Sequence, residues 1–293
     1  MFNVKRVNSN NDTVSKFIFE KENAIAEAVL YTYGNPFDRT VVCCSTMSGC
    51  PVGCVFCGTG KKFIRNLTSQ EIVEQVSHVF TEVSPELNSK CKKLQIMFMS
   101  MGEPMLNWSN TEEAIRILHK LYPNAQLLLS TMGINDSIVF DRIIKLSKEV
   151  SKVGLQFSVH AHTDTKRNSI IPFARKFSLE QLRDAGIKWS MSTGRQVYLN
   201  YCVGKDNSSQ EEANELMKLF SPIFFSFTFS VICSSDETMK DAGYRNITHI
   251  QEFEQMFLRR GYNTRIFDPA GQDDIGGGCG QLWYVQEWFR KYQ

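Results

Sequence analysis

Two hydrophobic periods alternate along the chain. From about residue 39 onward, short runs rich in β-branched and aromatic residues are separated by stretches whose apolar residues recur every three or four positions, the spacing of an amphipathic helix. The pattern therefore predicts strands that alternate with helices. The six predicted strands are residues 40–44, 94–99, 126–130, 154–160, 196–202 and 225–232.

Local capping motifs mark several helix starts. In a capping box, a Ser or Thr and a Glu or Gln three residues later each satisfy a backbone N–H of the first turn with their side chains. Such motifs predict helices that begin at Thr68-x-x-Glu71, Ser178-x-x-Gln181 and Ser208-x-x-Glu211. Apolar periodicity predicts further helices at residues 111–122, 138–150 and 248–260, the last ending at Gly261.

Strand–helix units in series indicate an α/β fold with a parallel sheet and helical crossovers. Because six units are two fewer than a closed barrel has, a partial (β/α)6 TIM-like barrel is the first choice and a doubly wound open sheet the alternative. Residues 14–20 and 24–32 predict a short N-terminal β-hairpin. We expect a hairpin segment at 1–38, the partial barrel at 39–262 and a C-terminal extension at 263–293.

The composition is that of an ordinary globular protein. Of 293 residues, 42% are hydrophobic, and 33 Lys and Arg against 31 Asp and Glu give a formal net charge of +2. This balance does not require a dominant nucleic-acid surface, although it allows a local basic patch. No run approaches the ~20 apolar residues of a membrane helix, and no secretory signal pattern opens the chain. We expect a cytoplasmic monomer with no membrane partner.

Nine cysteines are many for a chain expected in a reducing compartment, and their odd number does not suit a disulfide framework. Three of them, Cys50, Cys54 and Cys57, follow the first predicted barrel strand in one tight loop. Three thiolates suit an iron–sulfur cluster that leaves one iron open for a substrate or cofactor. A structural zinc site with a distant fourth ligand is the alternative that spacing alone leaves open.

The same loop resembles a known signature. C-x-x-x-C-x-x-C with an aromatic residue before the last cysteine, here Phe56, is similar to the motif of radical S-adenosylmethionine (SAM) enzymes, which have a six-fold partial barrel. The segment VCCSTMSGCPVGCVFCGTGKKFIRNLTSQEIVEQV resembles the radical SAM RNA methyltransferases that modify adenine at C2 in ribosomal RNA and tRNA, and their relatives acting at C8. The blocks MSMGEPMLN, LSTMGI, FSVHAHTDTKR and QDDIGGGCGQL follow in the family's order.

The resemblance implies a set of cofactors and ligands. Cys50, Cys54 and Cys57 would hold a [4Fe–4S] cluster whose open iron binds SAM. Two SAM molecules would be used per turnover, and an electron donor such as flavodoxin would be a partner. The residues implied in SAM binding are Gly102, Glu103, Ser130, Ser158, Val159, His160 and Ser235.

By the same resemblance, Cys279 would carry the transferred methyl group. A first SAM would methylate its sulfur, and a radical formed from a second SAM would take hydrogen from that methyl group, which then adds to adenine. Cys43 would release the product through a transient disulfide with Cys279; Cys44 is the other candidate, but strand parity directs it to the opposite face. Glu27 would remove the ring proton, although an outward-facing Glu is the ordinary interpretation.

Some features depart from the family's pattern. Members carry a helical N-terminal domain, whereas this chain starts almost at the core, and the family's Pro-Phe-Asn is replaced by Cys233-Ser-Ser235. The sequence favours methylation of an adenine carbon in RNA, C2 before C8, and a tRNA loop before a ribosomal segment. The alternatives are the same mechanism on another nucleotide or a protein, and a degenerate SAM- or RNA-binding module. The intact set of cysteines argues against the last.

Overall fold

The computed structural model describes residues 2–11, 13–233, 243–278 and 280–292. Its strands are β1 (Asn3–Asn8), β2 (Val14–Lys21), β3 (Ala24–Thr32), β4 (Arg39–Cys44), β5 (Met47–Gly49), β6 (Phe63–Asn66), β7 (Lys93–Phe98), β8 (Gln126–Thr131), β9 (Val153–Ser158), β10 (Val197–Cys202), β11 (Phe225–Ser230) and β12 (Thr264–Phe267). Its α-helices are α1 (Ser69–Val83), α2 (Leu87–Lys90), α3 (Trp108–Leu121), α4 (Ser137–Glu149), α5 (Asp164–Ile170), α6 (Leu179–Thr193), α7 (Gln210–Leu219), α8 (Ile247–Leu258) and α9 (Tyr284–Tyr292). Short 3₁₀ segments lie at Thr59–Lys61 and Pro104–Asn107.

One ten-stranded sheet has the order β1-β2-β3-β4-β7-β8-β9-β10-β11-β12. In this sheet, β1 to β4 pair antiparallel, and every neighbouring pair from β4 onward is parallel. Strands β5 and β6 form a separate antiparallel pair. Each parallel strand lies beside the next one along the chain, so the crossovers all advance in one direction. A doubly wound sheet reverses its order at a switch point. The observed order confirms the predicted α/β partial barrel instead.

The predicted strands correspond to β4 and β7 to β11, and the predicted hairpin corresponds to β2 and β3. Two further strands were not predicted. Strand β1 pairs with β2 at the N-terminal edge, and β12, in the predicted extension, pairs in parallel with β11. The three predicted parts of the chain thus share one sheet, and their division at residues 38 and 262 stays a prediction.

The helix caps follow the predicted motifs with one correction. The boxes at Thr68 and Ser178 are both complete, and they begin α1 and α6. The third box was predicted one residue too early: Ser209 and Glu212, not Ser208 and Glu211, cap α7. The Ser208 hydroxyl instead donates to the carbonyl of Gly204 (2.6 Å), in the loop that precedes the helix. No helix in the described ranges is long and apolar enough to cross a membrane.

The side chains of alternate residues in β4 pack in two different hydrophobic clusters. Val42 and Cys44 pack in the apolar layer that the sheet shares with the helices. Val41 and Cys43 belong to a second cluster, in which the hairpin, β7 and the C-terminal segment meet. This alternation confirms the parity prediction, because Cys43 and Cys44 lie on opposite faces of the strand.

Candidate functional site

The three-cysteine loop lies between β5 and the first 3₁₀ segment. The N–H of Cys50 donates to the carbonyl oxygen of Lys62 (2.9 Å), and the N–H of Cys57 donates to that of Cys54 (3.1 Å). All three cysteines are half-buried. Backbone hydrogen bonds therefore fix a short loop that carries all three thiols.

The donor chemistry of this loop fits an iron–sulfur cluster. Burial is the first cause that raises the pKa of the Cys50 thiol well above its ordinary value, and the nearby Cys57 and Cys54 thiolates raise it further. Within the described residues, no group of three or more His, Cys, Asp or Glu side chains is arranged to hold a metal ion directly. The loop still supplies three thiols, which are soft ligands suited to iron–sulfur clusters. Their thiolates repel one another, and bound iron would offset that repulsion.

Two other segments hold this loop from either side. The N–H of Val55 donates to the carbonyl of Ile170 at the end of α5 (3.0 Å), and the N–H of Gly58 donates to that of Gly280 (2.7 Å). The second bond joins the cysteine loop to the Gly-rich C-terminal segment. Tertiary structure thus places next to each other two motifs that are more than 200 residues apart in the sequence.

His160 lies just beyond the end of β9 with a positive φ of 61°, which a non-glycine residue rarely adopts. Its Nδ1 accepts a hydrogen bond from the N–H of Cys202 (3.0 Å), so the ring proton is on Nε2. The ring of Phe56 packs edge-on against the imidazole at 5.1 Å. Burial, assisted by the charge of Arg167, lowers the pKa of His160 to about 3. His160 is therefore a neutral side chain that supports the cysteine loop.

The Gly-Glu pair after β7 is tightly constrained. Gly102 has a φ of +103°, and a Cβ there would lie 2.7 Å from the side chain of Met47, so only glycine fits. The buried carboxylate of Glu103 accepts from the N–H groups of Met105 (3.0 Å) and Met132 (2.9 Å) and from the Thr131 hydroxyl. Burial raises its pKa despite these donors. Glu103 thereby ties the end of β7 to the end of β8.

The remaining predicted SAM-binding residues lie at the ends of β8 and β9. The Ser130 hydroxyl accepts from the side-chain amide of Gln156 (3.0 Å), and the Ser158 carbonyl accepts from Arg167 (3.0 Å). Val159 is fully buried. The strand ends thus gather these residues at one edge of the sheet, the edge where parallel sheets bind ligands. Two other predicted residues, Ser235 and Cys279, lie outside the described residues.

A cavity of about 430 Å³ occupies the inside of the barrel, within the ~300–1,000 Å³ range of small-molecule sites. Cys43 lines it, and so do Gly278 and Gly280, the residues on either side of Cys279 in the sequence. The three loop cysteines are not among its described lining residues. The structure therefore brings Cys43 together with the C-terminal glycine segment inside the barrel.

Glu27 is not outward-facing. Its side chain is fully buried, with Oε2 3.0 Å from the equally buried ammonium of Lys16 and Oε1 accepting from the N–H of Tyr284 (3.0 Å). The Lys16 ammonium also lies 4.4 Å from the centre of the Trp283 ring. Burial raises the pKa of Glu27, and Lys16 opposes that rise. The pair thus holds the N-terminus of α9 against the hairpin.

Sequence reasoning missed two basic residues in this region. Lys16 sits within an apolar strand, and that position was the signal that could have marked it as buried. Arg167 is fully buried and donates to the carbonyls of Phe177 (2.8 Å), Met132 (2.6 Å) and Ser158 (3.0 Å), while its Nε has no hydrogen-bond partner among the described residues. It lies in the block FSVHAHTDTKR, but its burial is a tertiary effect.

Comparisons with known proteins agree with this site. The profile of the radical SAM superfamily matches residues 44–213, which include the cysteine loop. A protein of Thermotoga petrophila named "Probable dual-specificity RNA methyltransferase RlmN" is 34% identical over 278 residues, covering 92% of this chain and 76% of the relative. The "Ribosomal RNA large subunit methyltransferase N" of Nitrosopumilus maritimus is 32% identical, covering 95% of this chain and 79% of the relative.

Solved structures give the same fold. A radical SAM methyltransferase from Sphaerobacter thermophilus superimposes with a TM-score of 0.82 at 30% identity, covering 96% of this chain and 80% of that one. SuiB of Streptococcus suis bound to S-adenosylmethionine matches with a TM-score of 0.57 at 10% identity, over 80% of this chain and 51% of that one. At that identity the second likeness concerns the fold alone.

Proposed function

We propose that this chain, which belongs to the radical SAM RNA methyltransferase family, methylates a ring carbon of adenine in RNA. The methyl group would pass through a methylated Cys279. The preferred position is C2. The observation that carries the proposal is the single cavity lined both by Cys43 and by the glycines 278 and 280 that flank Cys279. A mechanism that ends in a disulfide needs its two cysteine sulfurs close enough to bond. The shared lining of this cavity supports such a meeting of Cys43 and Cys279.

The cysteine loop would hold a [4Fe–4S] cluster, which when bound supplies the electron for reductive cleavage of SAM. Cys50, Cys54 and Cys57 would be its protein ligands. His160 packs on Phe56 within this loop, and its depressed pKa keeps it neutral, so it adds no cation beside the thiolates. Gly102, Glu103, Ser130, Ser158, Val159, His160 and Ser235 stay proposed as the SAM-binding set. Use of two SAM molecules per turnover and an electron donor such as flavodoxin belong to the same proposal.

Release of the product would be the task of Cys43. Its thiolate would attack the Cys279 sulfur, forming the sulfur–sulfur bond and breaking the bond between that sulfur and the methylene carbon on adenine. The electron pair of the broken bond passes to the methylene carbon, which takes a proton from solvent and becomes the methyl group. The adenine ring gives up the proton from the methylated position, and the unpaired electron left by radical addition would pass to the oxidised cluster. Glu27 stays proposed as the acceptor of that proton. Its ion pair with Lys16 and its bond to Tyr284 also support a positioning role, since they hold the segment that follows Cys279.

RNA would be bound mainly through bases exposed in a loop. A net charge of +2 offers limited phosphate attraction. Unpaired bases can be read by stacking and by contacts to their edges, whereas the edges of paired bases in an RNA helix are poorly accessible. These arguments favour a small folded RNA such as tRNA over a large ribosomal segment.

The test is to reconstitute the protein anaerobically and supply SAM, a reductant and separate tRNA, ribosomal RNA and short adenine-containing RNAs. Nucleosides are then measured by mass spectrometry, with Cys279→Ala as the matched control. The proposal expects methyladenosine at C2 in at least one RNA with the parent enzyme and in none with the variant. Consumption of SAM without methylated RNA would overturn the RNA assignment, and an active Cys279→Ala variant would overturn the mechanism.

A further inference from the structure

The barrel cavity has a basic mouth at the end of the sheet opposite the cysteine loop. Arg39 and Lys93 begin the neighbouring strands β4 and β7, and they face each other directly in the strand register. Arg265, the second residue of β12, joins them at the same end of the sheet. We call these three residues the basic mouth.

Aromatic, amide and hydroxyl groups, not acids, contact the guanidinium groups of the mouth. The Arg39 guanidinium lies over the Tyr33 ring at 4.1 Å, and its Nε donates to the side-chain oxygen of Gln95 (3.1 Å). The Arg265 guanidinium lies over the Tyr198 ring at 5.5 Å, and its Nε donates to the Thr228 hydroxyl (2.8 Å). Among the described residues, no acidic side chain forms an ion pair with any of the three cations. The three positive charges are therefore not neutralised within the described part of the chain.

One acidic residue, Asp268, does line the same cavity. Its carboxylate is held by the two-pronged contact of Arg245, at 2.9 and 3.2 Å, and it also accepts from Gln272. The same arginine also donates to Asp273 (2.6 Å), so it only partly offsets the charge of Asp268. Asp268 follows the carboxyl end of β12, three residues or about 10 Å beyond Arg265 at ~3.3 Å per residue, so it lies away from the basic mouth.

Like charges directly opposite in a sheet are destabilising. Partial desolvation is the first cause that lowers the pKa of Lys93, and the charges of Arg39 and Arg265 lower it further. The three cations therefore repel one another at short range. A bound anion would relieve this repulsion.

The mouth leads inward to a cysteine. Tyr33, Arg39 and Arg265 line the same cavity as Cys43. Tyr33 is 45% exposed, so this end of the cavity reaches solvent. Arg39 and Cys43 lie on the same face of β4, four residues apart, which corresponds to about 13 Å at ~3.3 Å per residue. A small molecule that enters past the arginines thus meets the Cys43 thiol.

We propose that the basic mouth is an anion-selective entrance through which a small anionic thiol reaches and reduces Cys43. The reductant role rests on the proposed function, in which each turnover leaves a disulfide between Cys43 and Cys279. A first thiolate attacks the Cys43 sulfur, forms a mixed disulfide and expels the Cys279 thiolate. A second thiolate attacks the small-molecule sulfur of that mixed disulfide and expels the Cys43 thiolate. Two thiols are oxidised to one small disulfide, and the protein disulfide is reduced.

The entrance is tested with two alkylating reagents that differ in charge, anionic iodoacetate and neutral iodoacetamide. Alkylation of Cys43 is quantified by peptide mass spectrometry in the reduced full chain, and the ratio of the two rates cancels changes in thiolate fraction. The ratio is compared with that of a free thiol in solution. Arg39→Gln and Arg265→Gln should each lower it by about 1.5- to 2-fold, the Coulomb effect of one unit charge in water at the ~13 Å that separates Arg39 from Cys43. Arg142→Gln, which removes an exposed arginine on α4, should leave it unchanged.

A parent ratio no higher than that of the free thiol, or an unchanged ratio in both mouth variants, would overturn the entrance. If a variant loses structure, both reagents react faster and the ratio moves to the free-thiol value. Circular dichroism identifies a variant that has lost structure. In that case Arg39→Lys is the deciding variant: it keeps the positive charge, so its ratio of the two alkylation rates should equal that of the parent.

The reductant role is tested on the oxidised protein with anionic 3-mercaptopropionate, neutral 2-mercaptoethanol and cationic cysteamine, each rate divided by the rate with a small model disulfide. The anionic thiol should have the highest relative rate, and both mouth variants should reduce that advantage. Equal relative rates would overturn the role. If the oxidised protein contains no disulfide between Cys43 and Cys279, the proposed function and the reductant role fail together. The alkylation ratio still decides whether the anion entrance exists.

Discussion

Replacing Lys16 by Met tests the buried ion pair that fixes the C-terminal helix. Lys16 and Glu27 are fully buried and 3.0 Å apart, so the variant leaves an uncompensated carboxylate in the protein interior. Breaking a buried pair in this way costs about 3–5 kcal/mol. At roughly 2–4 °C per kcal/mol for a chain of this size range, Tm should fall by about 10 °C. Urea and thermal unfolding measure the loss.

The loss should depend on pH with a defined sign. The pKa of Glu27 is already raised above its unfolded value by burial, and removing Lys16 raises it further. Between the unfolded and the folded pKa the native state binds more protons than the unfolded state, so stability decreases as pH rises through that window. Lys16→Met should therefore be closest to the parent near the unfolded pKa, about 4.5, and farthest from it once pH exceeds the raised folded pKa.

Two matched variants control this experiment. Lys291→Met removes an exposed ion pair of similar length, 2.8 Å to Glu20, and should cost much less than Lys16→Met, because solvent screens exposed ion pairs. The double variant Lys16→Met/Glu27→Gln removes both charges and should recover most of the stability, because no buried charge remains. If Lys16→Met loses less than about 0.5 kcal/mol at every pH, or if the double variant is no more stable than the single one, the role assigned to the pair is wrong.

Further expectations concern the site itself. Replacing all three loop cysteines by Ala should abolish the binding of about four irons and four sulfides, measured by iron and sulfide analysis against the reconstituted parent. Cys43→Ala should accumulate a covalent adduct between Cys279 and RNA, visible by mass spectrometry, because no thiol remains to release it; free turnover would contradict this. Gly102→Ala should lower the free energy of unfolding in urea by about 1–3 kcal/mol, because φ is +103° there and the new Cβ would meet Met47. Gly194→Ala is the control and should cost less, because its φ is also positive (+71°) but no atom lies within 4 Å of the new Cβ. The imidazole of His160, whose pKa is about 3, should show no NMR titration between pH 5 and 8.

Local patterns were sufficient wherever the cause was local. The capping boxes at Thr68 and Ser178 and the period of each apolar run predicted where strands and helices lie, because both depend on neighbours within a few residues. Strand parity alone separated Cys43 from Cys44. The error of one residue at Ser209 arose because Ser208-x-x-Glu211 and Ser209-x-x-Glu212 both match the capping-box pattern, and the pattern alone does not choose between two adjacent serines.

Edge elements could not be predicted in the same way. Strand β1 is mostly polar and β12 is only four residues long, so neither carries a clear period of its own. Each exists because an existing sheet edge, β2 or β11, offers it backbone partners. The partner strand, and not the intrinsic pattern, decides that these segments are extended.

The sequence by itself determined the family, the cysteine loop and the partial barrel. The first two depend on motifs of contiguous residues, and the third depends on the alternation of strand and helix periodicities. Only the tertiary structure decided which charges are buried and which thiols share a cavity. Lys16 and Glu27 belong to adjacent strands, but their full burial depends on a helix that starts more than 250 residues later. The basic mouth likewise takes Arg39 and Arg265 from the first and last parallel strands. Burial and electrostatic coupling are properties of three-dimensional proximity, which a linear pattern does not contain.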